Sequence, residues 1–169
     1  SGWAENILHS FTSGSDGFQP SSGVTFDSSS NLYSSTAGAE CDGGGGNAFE
    51  LSAGSWSFST VYCFVGIEGG GPYLSTMVFD QAGNLYGTTY YDGANGANSS
   101  GTVFKLTPSN GIWTYTSLHD FTGGTDGGYP VGNLVFDANG NLYGTASRGG
   151  DMSNCGGHGC GVVFKISGL

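Results

Sequence analysis

Three times along this chain a Phe-Asp pair is followed, after a short polar turn, by Asn-Leu-Tyr: Phe26-Asp27 with Asn31-Leu32-Tyr33, Phe79-Asp80 with Asn84-Leu85-Tyr86, and Phe136-Asp137 with Asn141-Leu142-Tyr143. The last copy reads in full Leu134-Val135-Phe136-Asp137-Ala138-Asn139-Gly140-Asn141-Leu142-Tyr143-Gly144-Thr145. Apolar residues on both sides suit strands. The Asp offers an acceptor to backbone amides and Gly-Asn tolerates positive φ, so each copy predicts a tight hairpin. The period of about 55 residues matches one four-stranded unit better than a thin solenoid coil.

The stretches between the hairpins repeat as well. A loop with Gly and Pro at matching places precedes each one: Asp16-Gly17 to Pro20, Gly69-Gly70-Gly71-Pro72, and Asp126-Gly127-Gly128 to Pro130. A glycine-rich loop of changing length follows (37–47, 91–101, 147–161), as expected of a surface loop on a fixed scaffold. A third strand comes next, Ala48-Phe49-Glu50-Leu51, Val103-Phe104-Lys105-Leu106 or Val163-Phe164-Lys165-Ile166, alternating large apolar with polar residues. A fourth carries a Trp: Trp56 to Tyr62, Trp113 to Leu118, and at the chain's start Trp3 to Leu8.

Four antiparallel strands per repeat, with the first two almost wholly apolar, are what a stacked propeller blade requires, because inner strands bury both faces. The expected fold is therefore all-β, three four-stranded β-propeller blades in one array over residues 1–169; a β-solenoid is the alternative. Repeats run approximately 9–62, 63–118 and 119–169, and residues 1–8 supply a strand that completes the last blade of this or a neighbouring chain. Phe26, Phe79 and Phe136, with Leu32, Leu85 and Leu142, are expected between blades.

Composition rules out several classes. With 34 glycines and 9% charged residues disorder has to be weighed, but 14% aromatic residues at fixed repeat positions favour a packed core. A net charge of −10 repels phosphate backbones and anionic headgroups, so nucleic acid is excluded as a partner. No run of about eighteen apolar residues predicts a spanning helix, so no membrane insertion is expected. A chain opening at Ser1 fits a processed secreted protein or an excised fragment. Four cysteines and a Ser/Thr/Asn/Gly-rich surface suit a secreted or cell-surface, extracellular setting.

The motif Leu134-Val135-Phe136-Asp137 through Gly144-Thr145, followed by Cys155, Cys160 and Gly161-Val162-Val163-Phe164-Lys165-Ile166, resembles the GloVer tandem repeat of bacterial surface and secreted proteins. The middle copy, Gly101-Thr102-Val103-Phe104-Lys105-Leu106-Thr107-Pro108, is similarly close. The first departs, with Ser34-Ser35 in place of Gly-Thr and Asn47-Ala48 before Phe49. The resemblance covers nearly the whole chain. It implies a propeller and export, and no catalytic residues.

Candidate sites are few. Cys155-Gly156-Gly157-His158-Gly159-Cys160 could bind zinc, but a tetrahedral site needs a fourth ligand, so a disulfide is expected there. Cys41 and Cys63 form the remaining pair, although connectivity cannot be deduced from sequence. Asp16, Asp27, Asp80, Asp126 and Asp137 raise calcium as a possible cofactor, best placed in the Asp-Gly loops, whereas the hairpin Asp reads as a turn cap. His9 and His119 recur at equivalent places, which points to packing or a strand-end hydrogen bond. Asn98-Ser99-Ser100 is a glycosylation sequon. No catalytic constellation is legible. The reading is a non-enzymatic extracellular structural protein that self-assembles, with Trp3, Ile7 and Leu8 of one chain pairing beside Val163, Phe164 and Ile166 of another, as a ring or a filament. A glycan- or protein-binding propeller, using Tyr90, Tyr91 and Trp3, is the alternative, and a secreted enzyme a more distant one.

Overall fold

The computed structural model describes residues 2–40, 44–68, 70–91, 93 and 100–169. Its strands form three four-stranded antiparallel sheets. In the first, β1 (Thr25–Phe26), β2 (Leu32–Thr36), β3 (Asn47–Leu51) and β4 (Phe58–Cys63) lie side by side in chain order. The second repeats this order with β5 (Val78–Phe79), β6 (Leu85–Thr89), β7 (Thr102–Ser109) and β8 (Ile112–Asp120). In the third, β9 (Gly128–Pro130) and β10 (Val135–Phe136) pair successively along one edge of β11 (Leu142–Arg148), and β12 (Val162–Ile166) pairs along the other. Among the described residues, the place that β4 and β8 hold in their sheets has no strand beside β12.

Register follows the repeat. Phe26 faces Leu32, Phe79 faces Leu85 and Phe136 faces Leu142 across the hairpins. In the turns, Asp27 Oδ1 accepts the amides of Ser29 and Asn31, Asp80 Oδ1 those of Ala82 and Asn84, and Asp137 Oδ1 those of Asn139 and Asn141, all at 2.8–2.9 Å. The residue before the Asn has positive φ: Gly83 at 83°, Gly140 at 77°, and in the first copy Ser30 at 65°. Between the third and fourth strands of the first two sheets the register shifts at the same point, at Ala48/Phe49 and at Val103/Phe104.

Apolar side chains cement successive sheets face to face. Tyr33 and Ala48 of the first meet Met77, Leu85, Phe104 and Leu106 of the second, with Phe64 from the connecting segment between them. One junction further on, Tyr86 and Val103 meet Leu134, Leu142 and Ala146, again with a connecting phenylalanine, Phe121. The rings of Phe64 and Phe104 lie 4.9 Å apart, and those of Phe121 and Phe164 5.2 Å apart. On its other face the first sheet buries Leu32, Phe49 and Leu51 under Phe11, Trp56 and Phe58 of its own repeat. The protein is all-β, and its sheets are blades of a β-propeller.

Three expectations need correction. Phe26 does not lie between blades: it is 54% exposed, because no blade stands in front of the first sheet, whereas Phe79 and Phe136 are half-buried against the preceding blade. Residues 3–8 do not complete the last blade of their own chain: in the single chain they lie in no strand, and no described strand pairs with them. Trp56 lies in the turn before β4, at φ 54°, rather than in the strand.

Candidate functional site: two open blade faces

Some residues that are buried at the two internal junctions have counterparts lying open at the ends of the stack, although Leu32, Phe49 and Leu51 at the front are covered by Phe11, Trp56 and Phe58. On the front of the first blade, Val24 is 55% exposed, while its counterpart Met77 is 2% exposed. On the back of the third, Val163 is 79% exposed, against 0% for Ala48 and Val103 at the same blade position. Val135 is exposed beside it, where Val78 of the second blade is packed.

The internal junctions show how such positions pack between blades. Phe79 meets Tyr33 edge to face at 5.0 Å, and Phe136 meets Tyr86 in the same way at 5.1 Å. Phe26 is the third such phenylalanine and Tyr143 the third such tyrosine. They sit on opposite ends of the chain. The front face also carries Phe11, Phe49 and Phe58, with Phe11 5.3 Å from Phe49 and Phe58 5.5 Å from it. The outer edge of β12 is unpaired by any described strand, leaving a row of backbone donors and acceptors.

Local electrostatics hold these elements in place. Each hairpin carboxylate has its second oxygen on a side-chain amide and a phenol: Asp80 Oδ2 accepts Asn84 Nδ2 at 2.7 Å and the Tyr86 hydroxyl at 3.0 Å, and Asp137 does the same with Asn141 and Tyr143. Donation from Asn141 pulls the Asp137 carboxyl down to about 2. Burial raises Asp27 and Asp80, but their own donors outweigh it and both end below the ordinary value. Burial and the Asp80 contact push the Tyr86 phenol up to about 12. Both oxygens of each hairpin carboxylate thus accept hydrogen bonds within the turn.

His9 and His119 each face a carboxylate in the following loop, Asp16 at 3.2 Å and Asp126 at 3.3 Å. Both carboxylates also accept from a threonine, Thr12 or Thr122, through amide and hydroxyl. At the middle junction Tyr62 donates to Glu68 at 2.7 Å instead. One link, from the end of an outer strand to the loop leading into the next blade, is therefore made three times with different residues. The Asp-Gly loops spend their carboxylates on it, and no group of three or more His, Cys, Asp or Glu that could hold a metal ion occurs among the described residues.

The sequence matches the Gloeobacter/Verrucomicrobia repeat over residues 1–168. The chain belongs to that family. No curated protein matches it. Among solved structures it is similar to a crystal structure of a candidate gluconolactonase, at 18% identity and a TM-score of 0.46, over 85% of this chain and 47% of that one. The chain spans about half the length of that structure.

Within the Gloeobacter/Verrucomicrobia repeat, the remaining sequence candidates are placed as follows. Cys155 and Cys160 form a disulfide that closes the loop before β12, so their thiolates are not offered to zinc. Cys63 is disulfide-bonded at the end of β4; Cys41 lies outside the described residues. The sequon at Asn98 also lies outside them. No helix among the described residues is long and apolar enough to cross a membrane. Trp3 and Ile7 are exposed, at 106% and 77%, with Leu8 less so at 38%, while His9 is anchored by Asp16 and stacked on Phe58 at 4.8 Å. Phe164 and Ile166 face the second blade and Val163 faces away from it. Sequence reasoning missed that a hairpin Phe packs on the Tyr of the preceding repeat, Phe79 on Tyr33 and Phe136 on Tyr86. The signal was there in the recurrence of both, but without the sheet stack nothing said that a Phe reaches back to the previous repeat's Tyr.

Proposed function

We propose that this chain is a non-enzymatic structural protein of the cell exterior that assembles head to tail, the front of the first blade of one copy seating on the back of the third blade of another. The observation that carries it is the exposure of Phe26 at one end and of Val135 and Val163 at the other, at positions that are packed wherever two blades meet. The two faces are complementary by construction. Each internal junction uses the same residue types in the same register, so a third junction needs no new design.

In such a contact Phe26 meets Tyr143, and Phe11 covers Val163 as Phe121 covers Val103. Trp3 to Leu8 crosses to the edge of β12. The β7–β8 ladder sets its register: Val103 opposite His119 and Phe104 opposite Ser117 translate to Val163 opposite His9 and Phe164 opposite Ile7. A heterologous contact of this kind closes into a two-chain, six-blade ring or continues as a filament. The ring leaves no open edge and is preferred. An oxidised Cys155–Cys160 pair fits an extracellular setting.

Static light scattering and native mass measurement on the intact chain test this reading. The expected species is a dimer, or a ladder of higher multiples for the filament. A stable, monodisperse monomer overturns it.

A further inference from the structure

Tyr73, Tyr90 and Tyr91 of the second blade gather with Tyr129 of the third. The Tyr90 ring lies 4.5 Å from Tyr91 and 5.2 Å from Tyr129, and Tyr73 lies 6.1 Å from Tyr90. Arg148 lies over the Tyr129 face at 4.7 Å. Beside this wall is a cavity of about 470 Å³, lined by Gln19, Ala37, Gly45, Gly71, Tyr73 and Tyr91 among others.

The repeat supplies an internal control. Tyr90, Tyr91 and Tyr129 meet at the junction of the second and third blades; the same places at the junction of the first and second are Ala37, Gly38 and Gly71. Packing demands recur with the repeat, as the junction phenylalanines show. A tyrosine cluster at one junction and small residues at the other is therefore not something the fold requires. The small residues leave the space, Tyr73 and Tyr91 form its wall, and Tyr90 and Tyr129 pack behind them.

The backbone beside the cluster has a conformation common to all three blades. Gln19, Gly71 and Tyr129 each precede a proline and each has positive φ, at 54°, 61° and 55°. Recurring in every blade, that conformation belongs to the repeat, and it is costly for a bulky side chain. The second blade relieves it with glycine. The third keeps a tyrosine there.

We propose that this tyrosine-walled cavity is a binding site for a neutral carbohydrate. Aromatic faces present flat apolar surfaces to the C–H face of a pyranose, and hydroxyls, the Gln19 amide and glycine backbone groups supply hydrogen-bond partners. The described lining residues include no carboxylate and no cation, and a chain of net charge −10 does not attract anionic ligands. Tyr91, 54% exposed and lining the cavity, is the platform. This site stands apart from the two end faces and does not depend on assembly.

The test titrates the intact chain with maltohexaose, cellohexaose and chitohexaose by NMR and calorimetry. At least one binds, and Tyr91→Ala weakens it about tenfold or more, the scale of one lost stacking platform, with the thermal midpoint unchanged. Tyr129→Gly, which suits the left-handed backbone, weakens binding while the midpoint holds or rises. Absence of binding by all three sugars overturns the proposal. So does binding that survives Tyr91→Ala, or that falls only as far as the fold itself is lost.

Discussion

At Ser30 the first hairpin does with a side chain what the other two do with glycine. Its φ of 65° matches those of Gly83 and Gly140, and left-handed backbone costs a residue with a Cβ ~1–2 kcal/mol, against ~0.4–1 kcal/mol for the extra unfolded freedom of glycine. Ser30→Gly is therefore expected to stabilise by about 0.5–1 kcal/mol, read as a higher urea midpoint at unchanged slope. The neighbouring carboxylates set the acid limit. Asp137 titrates at about 2 in the fold and near 3.8 when unfolded, so its contribution is complete above the unfolded value and disappears as pH falls through about 2. Asp27 and Asp80 are shifted the same way and add to that limb. Tyr86 sets an alkaline one: raised from 10.0 to about 12, it contributes fully below the first value and loses its contribution as pH rises through the second. Denaturation midpoints against pH should fall at both ends. A flat profile between pH 4 and 2 would show that the hairpin carboxylates are not held as described.

Among the elements, β7 packs on both sides, Phe104 and Leu106 toward the first blade and Val103 toward the third. Phe104 in β7 is fully buried between Phe64 and Tyr115, so Phe104→Ala is expected to cost about 3–5 kcal/mol by chemical denaturation. Phe136, half-buried and touching Tyr86 edge to face, should cost clearly less when truncated. Equal losses at both positions would mean that the junctions are packed differently. The Cys155–Cys160 bond closes a short loop, and replacing both by serine should cost about 2 kcal/mol through the freedom restored to the unfolded chain. Reductant should reproduce that loss.

For the whole molecule, the balance lies between two finished junctions and two unfinished faces. Phe26 and Val163 are exposed in the single chain, so Phe26→Asp or Val163→Asp should change intrinsic stability by no more than ~0.5 kcal/mol. Each should nonetheless abolish assembly, because a carboxylate would be buried without a partner at the new junction. The thermal midpoint of the native chain should rise with protein concentration and that of either variant should not. Variants that assemble as well as the native chain would place the contact elsewhere.

The repeat, the hairpin turns, the third strands and the loop disulfide were all legible in the residues, because each depends on local chemistry. Asp-x-x-Gly-Asn makes a turn wherever it stands, alternating Val-Phe-Lys-Leu makes a half-buried strand, and two cysteines separated by glycines can meet with little help from the rest of the chain. The stack decided what locality cannot carry. Phe26, Phe79 and Phe136 are one residue type in one motif, yet only the last two have a blade to pack on, and the segment from Trp3 to Leu8 has the composition of an outer strand without a neighbour to pair with. The gathering of Tyr73, Tyr90, Tyr91 and Tyr129 from two blades was equally invisible. Burial and pairing are relations between segments far apart in sequence, and only the tertiary structure determines which segments meet.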